Sequence, residues 1–309
     1  MAQNGRPVQH SRSRSGLLVA KEVLDDKLSD SGKAIYTEFE RLRRMSVGGT
    51  VVDARSDRNA RLNRYSNVLP YDTNRVRLTN TAKDYINASL LESPPGEQPK
   101  WRYIATQGPK ESTTGDFWQM VQERRCGVII MLTRVTESGG FTKCARYFPE
   151  GLNQRELYGG WHVQCTSVRE VDSDVTRRDL LVTPPAGTGA PLQVAHFHYH
   201  AWPDHGVPST TQPLRDLVGA VKGLEQPQAG PAVVHCSAGI GRTGTYCAVD
   251  VALQRLRCGD YGAAVSAAEL KPLVAELRRQ RAGMVQTPEQ YAFCYQAIRD
   301  EVDLELRGQ

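Results

Sequence analysis

Residues 233 to 244 read Val233-Val-His-Cys-Ser-Ala-Gly-Ile-Gly-Arg-Thr-Gly244, and they specify a strand, a tight glycine-rich turn and a helix in succession. The short apolar run ending at His235 has the make-up of a buried strand, and Tyr246, Val249, Leu253 and Leu256 recur at helical spacing beyond Arg242. Cys236 therefore stands in a strand-to-helix turn. Gly239 and Gly241 let the backbone approach closely there, so the amide N–H groups of Ser237, Ala238, Gly239, Ile240 and Gly241 and the helix N-terminus converge on one small concavity. That concavity is an anion site of phosphate size. The same field favours thiolate over thiol, which makes Cys236 a candidate nucleophile. Arg242, closing the Cys-x5-Arg spacing, carries a planar fork of donors that can grip two phosphoryl oxygens at once. An ATP-binding P-loop has Gly-Lys-Ser/Thr at the corresponding place; here Gly241-Arg242-Thr243 stands instead, with a thiol at the head of the loop.

The complete string, a Val-Val-His strand, Cys-x5-Arg-Thr and an amphipathic helix, resembles the phosphate-binding signature of the cysteine-dependent protein phosphatases. Its Ser-Ala-Gly-Ile-Gly filling is that of their tyrosine-specific branch. Four further segments carry the resemblance outward. His196-Phe-His-Tyr-His-Ala-Trp202-Pro203-Asp204-His205-Gly206 begins as an alternating strand, breaks at Pro203 and Gly206, and looks like the family's Trp-Pro-Asp loop. The resemblance makes Asp204 the acid that protonates the leaving phenolate and then, ionised, the base that activates water. The resemblance makes Trp202 a supporting residue of this loop. Asn63-Arg64-Tyr65-Ser-Asn67 resembles the substrate-recognition loop, in which Tyr65 walls a pocket deep enough for phosphotyrosine and too deep for phosphoserine. Two departures stand out: Leu62 replaces a usual lysine, and Asn67 replaces an aspartate that holds the peptide backbone.

Gln286-Thr287-Pro288-Glu289-Gln290 is similar to the family's glutamine loop, in which Gln286 and Gln290 position the hydrolytic water; Thr287, Pro288 and Gln290 also fit a helix capping box. Glu137 and Lys143 match the hairpin whose glutamate fixes the arginine and whose lysine contacts the aspartate loop. The resemblance also implies that His235 helps to set the thiolate and that Thr243 hydrogen-bonds the sulfur. Gly283 falls where the family gates a groove beside the pocket, with Arg278 and Arg281 expected near that groove, although a turn glycine at positive φ is an equal reading. With Asp84-Tyr-Ile-Asn-Ala-Ser and Tyr103-Ile-Ala-Thr-Gln-Gly-Pro109, the likeness runs from about residue 30 to 302. It implies one α/β domain, a highly twisted mixed sheet flanked by helices, hydrolysing protein phosphotyrosine with no metal or organic cofactor. A dual-specificity phosphatase shares Cys-x5-Arg but needs a shallow pocket, which the Tyr65 segment opposes. A lipid phosphatase would carry basic residues where Ala238 and Ile240 stand. A phosphotyrosine-binding scaffold would have lost Cys236, Arg242 or Asp204.

Composition agrees with an enzyme having one continuous core: 309 residues, 39% of them hydrophobic. Residues 1–28 read as a polar Arg/Ser-containing extension, loose at its start, and 29–306 as the catalytic domain; no signal peptide is expected. The clearest apolar run, Val128 to Leu132, is far short of the roughly 18 residues that cross a bilayer. Ala2 after Met1 and a C-terminus without cysteine argue against myristoyl or prenyl anchors. Seven cysteines lie scattered without paired or zinc-type spacing, so a reducing cytosol or nucleus is expected, and no metal. A net charge of +5, from 39 basic against 34 acidic residues, is too balanced to indicate nucleic acid. A monomer acting on phosphotyrosine-containing proteins is expected. The basic clusters Arg41, Arg43, Arg44 and Arg278, Arg279, Arg281 read as solvated helix faces, and Arg43-Arg44-Met45-Ser46 has the pattern of a kinase site. Strands are expected near Tyr103 to Thr106, Gly127 to Leu132 and Ala232 to His235. Helices are expected at Lys33 to Arg44, after Thr113, after Arg242, at Ala267 to Arg279 and after Pro288.

Overall fold

The computed structural model describes residues 14–308 except 46–47, 80–82, 138–139, 204–205, 225–229 and 259–260, so Ser46 and Asp204 lie outside the described residues. Its strands are β1 (Arg75–Arg77), β2 (Tyr85–Glu92), β3 (Arg102–Thr106), β4 (Val128–Met131), β5 (Arg155–Tyr158), β6 (Trp161–Glu170), β7 (Val175–Thr183), β8 (Leu192–Tyr199) and β9 (Ala232–His235). Its helices are α1 (Arg14–Leu28), α2 (Lys33–Arg44), α3 (Val52–Arg55), α4 (Asp57–Ala60), α5 (Thr114–Glu123), α6 (Gln212–Lys222), α7 (Gly241–Arg257), α8 (Tyr261–Ala268), α9 (Leu270–Gln280) and α10 (Pro288–Arg307). All strands among the described residues join one sheet in the order β1-β2-β3-β9-β4-β8-β7-β6-β5. The four central strands β3, β9, β4 and β8 run parallel, and antiparallel arms extend them on both sides.

Alternation along the central strands explains the layering. Side chains of a strand point to opposite faces in turn. Tyr103, Ala105, Val128, Ile130, Phe197 and Val234 accordingly join the core under α1, α2, α7, α9 and α10, while Ile104, Ile129, Met131 and Val233 join the core under α5. Both faces of the centre are covered, which is why these strands read as unbroken apolar runs. Helix α7 is buried almost all round. It follows β9 directly, so the turn between them sits at the carboxyl edge of the parallel strands, where open α/β sheets bind ligands.

The expected mixed sheet between helices is what the chain forms. Two boundaries differ. The helix expected at Ala267 to Arg279 is divided into α8 and α9, with Glu269 between them out of helical conformation. Residues 14–28, read from the sequence as part of a polar extension, form α1, whose Leu17, Ala20 and Leu24 are buried in the main core against α8 and α10. The polar residues that precede Arg14 masked the helical spacing of these apolar ones.

Candidate active site

The turn after β9 curls around a sulfur. The Gly239 N–H donates to Cys236 Sγ at 3.3 Å and the Thr243 hydroxyl donates to it at 3.4 Å, while Cys236 itself is only 5% exposed. Gly239 is needed for close approach: its φ is +72°, and a Cβ there would lie 2.1 Å from the Thr106 carbonyl oxygen. The Ile240 carbonyl accepts from the N–H groups of Gly244 (2.9 Å) and Val285 (3.1 Å), which ties the loop to the start of α7 and to the segment before α10.

Arg242 leaves the first turn of α7 and is aimed by its partners. Its Nη1 donates to Glu137 Oε1 at 2.6 Å and to the Leu132 carbonyl at 3.2 Å, and its Nη2 donates to the Pro203 carbonyl at 3.0 Å. Glu137 is almost wholly buried, accepts from the Thr133 hydroxyl at 2.9 Å, and pairs with Lys143 Nζ at 3.6 Å. Both come from the hairpin after β4 that a Thr136–Thr142 bridge closes. The expected glutamate–arginine pair is thus formed, and Lys143 meets Glu137. Trp202 is buried between Tyr199 and Phe293, 5.6 and 5.8 Å between ring centroids, so the segment leading to Asp204 is anchored by its aromatic ring.

Tyr65 stands at the rim, 36% exposed, with its hydroxyl 2.8 Å from Ser237 Oγ. Ser237 spends its own proton on the Lys143 carbonyl at 2.9 Å, so Tyr65 is the donor of that pair. Arg64 pins the rim loop. Its backbone N–H donates to Gln107 Oε1 at 2.7 Å, and its guanidinium donates to the carbonyls of Gly108 (3.1 Å), Pro109 (2.7 Å) and Thr142 (3.3 Å). Asn67 is exposed beyond Tyr65. Leu62, noted as a departure from the resembling motif, is buried with Ala54, Leu69 and Tyr85 in a site that suits an apolar side chain.

From the opposite side, the start of α10 brings its glutamines to the loop. A Cβ on Gly241 would lie 3.0 Å from both Gln286 Oε1 and Gln290 Nε2, so the two amides rest against it. Gln290 Oε1 accepts from the Gln286 N–H at 2.9 Å, and the Thr287 hydroxyl caps α10 by accepting the Gln290 N–H at 3.2 Å. The expected cap at Thr287 is thus formed, and the same short segment brings both glutamine side chains against Gly241. Gly283 has φ +78°, as a turn glycine requires, and a Cβ there would approach Ile240 Cδ1 to 3.1 Å.

The expectation for Arg278 and Arg281 is corrected: neither lies on a solvated helix face, and neither guanidinium is free to meet a substrate. Arg278 is buried over the Phe39 ring at 5.0 Å and donates to the carbonyls of Met284 (2.9 Å) and Val285 (2.8 Å). Arg281 is fully buried beneath the loop between β9 and α7. It donates to the carbonyls of Gly239 (2.8 Å) and Ala238 (3.1 Å), to Asn87 Oδ1 (2.8 Å) and to Ser89 Oγ (3.1 Å). Burial lowers its pKa to about 10, which leaves it cationic at neutral pH. Asn87 donates in turn to Asn63 Oδ1 at 3.0 Å, which links this cation to the segment that carries Tyr65. Arg64 and Gln107 went unassigned to the site in the sequence, and Arg281 was expected beside the groove, not beneath the loop, because a supporting arginine looks like any other. The only signal was an arginine beside the glutamine loop.

His235 lies behind Cys236. Its Nδ1 lies 3.2 Å from the Cys236 carbonyl and its Nε2 2.6 Å from Tyr147 Oη. Burial, with Arg64 nearby, lowers its pKa to about 4, so the ring is neutral at neutral pH. Among the described residues no cluster of His, Cys, Asp and Glu could hold a metal ion, no helix is long and apolar enough to cross a membrane, and all seven cysteines are free.

Comparison with known proteins agrees with this geometry. Residues 59–300 match the protein-tyrosine phosphatase family. Protein-tyrosine-phosphatase PTP1 of Arabidopsis thaliana is 43% identical over 251 residues, an alignment covering 79% of this chain and 71% of the plant protein. Tyrosine-protein phosphatase non-receptor type 9 of Homo sapiens is 36% identical over 305 residues, covering 93% of this chain and 49% of the human protein. Receptor-type tyrosine-protein phosphatase C of Homo sapiens is 36% identical over 282 residues, 90% of this chain and 21% of that one. The chain thus spans most of the first, about half of the second and about a fifth of the third. A family match over most of the chain, joined to a thiol that accepts from a loop N–H and a threonine hydroxyl and to an arginine held by a buried glutamate, means that the chain belongs to the protein-tyrosine phosphatase family.

Proposed function

We propose that the protein hydrolyses phosphotyrosine in proteins by two displacements at phosphorus, with Cys236 as nucleophile. The observation that carries this reading is the sulfur's setting: Cys236 Sγ receives the Gly239 N–H and the Thr243 hydroxyl, beneath a rim built by Tyr65 and beside an Arg242 aimed by Glu137. In the first step the S–P bond forms as the bond from phosphorus to the phenolic oxygen breaks, and Asp204 gives its proton to that oxygen. Arg242 and the loop amides stabilise the charge on the equatorial oxygens. In the second step a water held by Gln286 and Gln290 attacks phosphorus, Asp204 takes its proton, and the thiolate leaves with Thr243 donating to it. The positive field that holds phosphate is supplied by Arg242, by the amides and, from below, by Arg281. A substrate wall at Tyr65, with Asn67 exposed beyond it, favours phosphotyrosine and leaves peptide affinity without the charge of an aspartate. The free cysteines support a reducing compartment, cytosol or nucleus, in which the protein is proposed to act as a monomer.

Turnover of an aryl phosphate, then of matched phosphotyrosine and phosphoserine peptides, tests the reading. Cys236→Ser is expected to abolish turnover while still binding phosphotyrosine peptide, because the amides and Arg242 remain. Asp204→Ala is expected to lower kcat by about 10²- to 10⁴-fold with KM little changed. Steady turnover by Cys236→Ser would remove the nucleophile assignment, and equal rates on the two peptides would favour a dual-specificity enzyme.

A further inference from the structure

Behind the nucleophile, the sheet places two histidines around one tyrosine. On β4, Ile129 stands in register with His196 of β8 and Met131 with His235 of β9. Ile129 and Met131 share a face, so both histidine side chains emerge on that face, where Tyr147 packs. Tyr147 Oη lies 2.6 Å from His235 Nε2 and 2.9 Å from His196 Nε2; the Met131 sulfur, at 3.8 Å, is a poorer acceptor. All of these groups are fully buried.

The proton positions follow from the partners. A carbonyl only accepts, so His235 Nδ1 must carry the hydrogen that reaches the Cys236 oxygen at 3.2 Å. The ring being neutral, its Nε2 is then bare and accepts from Tyr147. The tyrosine oxygen, its single proton committed, can only accept from His196, so His196 carries its hydrogen on Nε2. Its Nδ1 should then be bare, and that atom is buried and has no hydrogen-bond partner among the described residues. An unpaired N–H there would cost more than an idle lone pair. The charged and titratable groups around the chain are Arg178 and His198 beside His196, Arg178 and Cys144 beside Tyr147, and Arg64 beside His235. None of them supplies an acceptor that would reverse the order.

We propose that His196, which touches neither sulfur nor loop, is a positioning residue for the nucleophile: through Tyr147 it holds His235 in the Nδ1–H tautomer that grips the Cys236 carbonyl. A trans peptide sets its C=O and N–H in opposite directions. Fixing the Cys236 carbonyl on the histidine side therefore fixes the Ser237 N–H on the other, as an amide nest requires. The inference rests on Cys236 being the nucleophile.

Long-range ¹H–¹⁵N correlation spectra of the wild-type protein at pH 7 read the tautomers directly. Neutral His235 protonated on Nδ1 and neutral His196 protonated on Nε2 are expected; His235 protonated on Nε2 overturns the proposal. The second measurement is the pH profile of Cys236 alkylation by iodoacetate in folded His196→Gln and His196→Asn proteins, with denaturation midpoints recorded alongside. A glutamine amide can replace the Nε2 donor, whereas asparagine reaches only the Nδ1 position. The asparagine variant is expected to shift the alkylation midpoint up by about half a pH unit, a roughly threefold loss of thiolate, with glutamine near wild type. A midpoint unchanged in the asparagine variant, or moved equally in both, makes His196 structural only and overturns the proposal. If the asparagine variant fails to fold, the wild-type spectrum decides. Turnover by Cys236→Ser would sink the nucleophile and leave that spectrum untouched, so the two failures are distinguishable.

Discussion

Arg281 does several things at once because a guanidinium offers five donors in one plane. Two go to the carbonyls of Ala238 and Gly239, which turns the N–H groups of those peptides the opposite way, and others reach Asn87 and Ser89. A lysine could not span these acceptors, so the swap is not conservative. Arg281→Met keeps length and apolar bulk while removing the charge, and it leaves carbonyls 238 and 239 without their partner. The variant is expected to lose about 2–4 kcal/mol of stability and to bind phosphate or vanadate more weakly. Denaturant unfolding together with vanadate inhibition checks this; wild-type values in both would mean that water replaces the guanidinium without loss.

Helix α1 is an element whose worth lies in what it covers. Leu17, Ala20 and Leu24 fill the groove along α8 and α10, and Lys21 bridges to Asp25 at 3.0 Å and Asp303 at 2.9 Å. Lys27 at its end meets Glu38 of α2 at 2.6 Å, and the same carboxylate accepts from Tyr291 (2.5 Å) and Tyr295 (2.7 Å) of α10. Burial alone would raise the pKa of Glu38, but these hydrogen bonds outweigh it and hold the carboxyl below its ordinary range. Thus α1 and α2 are fastened to the helix that begins with the glutamine loop. The exposed ion pairs contribute little; the apolar seam dominates. Leu24→Ala is expected to cost about 2–5 kcal/mol in denaturant unfolding with kcat unchanged. A loss under about 0.5 kcal/mol would show that α1 rests on the domain without stabilising it.

At the scale of the whole molecule, two buried histidines, His196 and His235, and the half-buried His198 are expected to make folding sensitive to mild acid. Burial pushes His235 down to about 4 and His198 down to about 3 from an ordinary 6.5, and it holds His196 well below that value. A folded-state pKa below the unfolded one means that the unfolded chain binds the extra protons first. The stability contributed by each neutral ring is therefore complete above about pH 6.5 and is lost as pH falls toward the folded values. Each ring adds a slope of up to about 1.4 kcal/mol per pH unit in that window. Unfolding free energy is expected to be flat near pH 7 to 8 and to fall steeply between pH 6.5 and 4, before most carboxylates titrate. Denaturant titrations across this range test it; a curve flat down to pH 5 would mean that the histidines are hydrated in the folded protein.

The turn around Cys236 was legible in the sequence because an amide nest is local: a short apolar strand, glycines at 239 and 241 and a following helix suffice to specify it, and Arg242 sits within the same turn. The cap at Thr287 was legible for the same reason, whereas the Glu137 hairpin was legible only through the family resemblance. What only the tertiary structure decided is which distant polar groups meet behind the loop. Arg281 reaches Asn87 across 194 positions and Tyr147 reaches His235 across 88, and no periodicity or spacing marks such pairs. Their meeting depends on strand order, since β9 lies between β3 and β4 and carries His235 into register with Thr106 and Met131. The chemistry of the loop is therefore written in consecutive residues, whereas its rigidity comes from the sheet that brings buried donors to the loop's carbonyls.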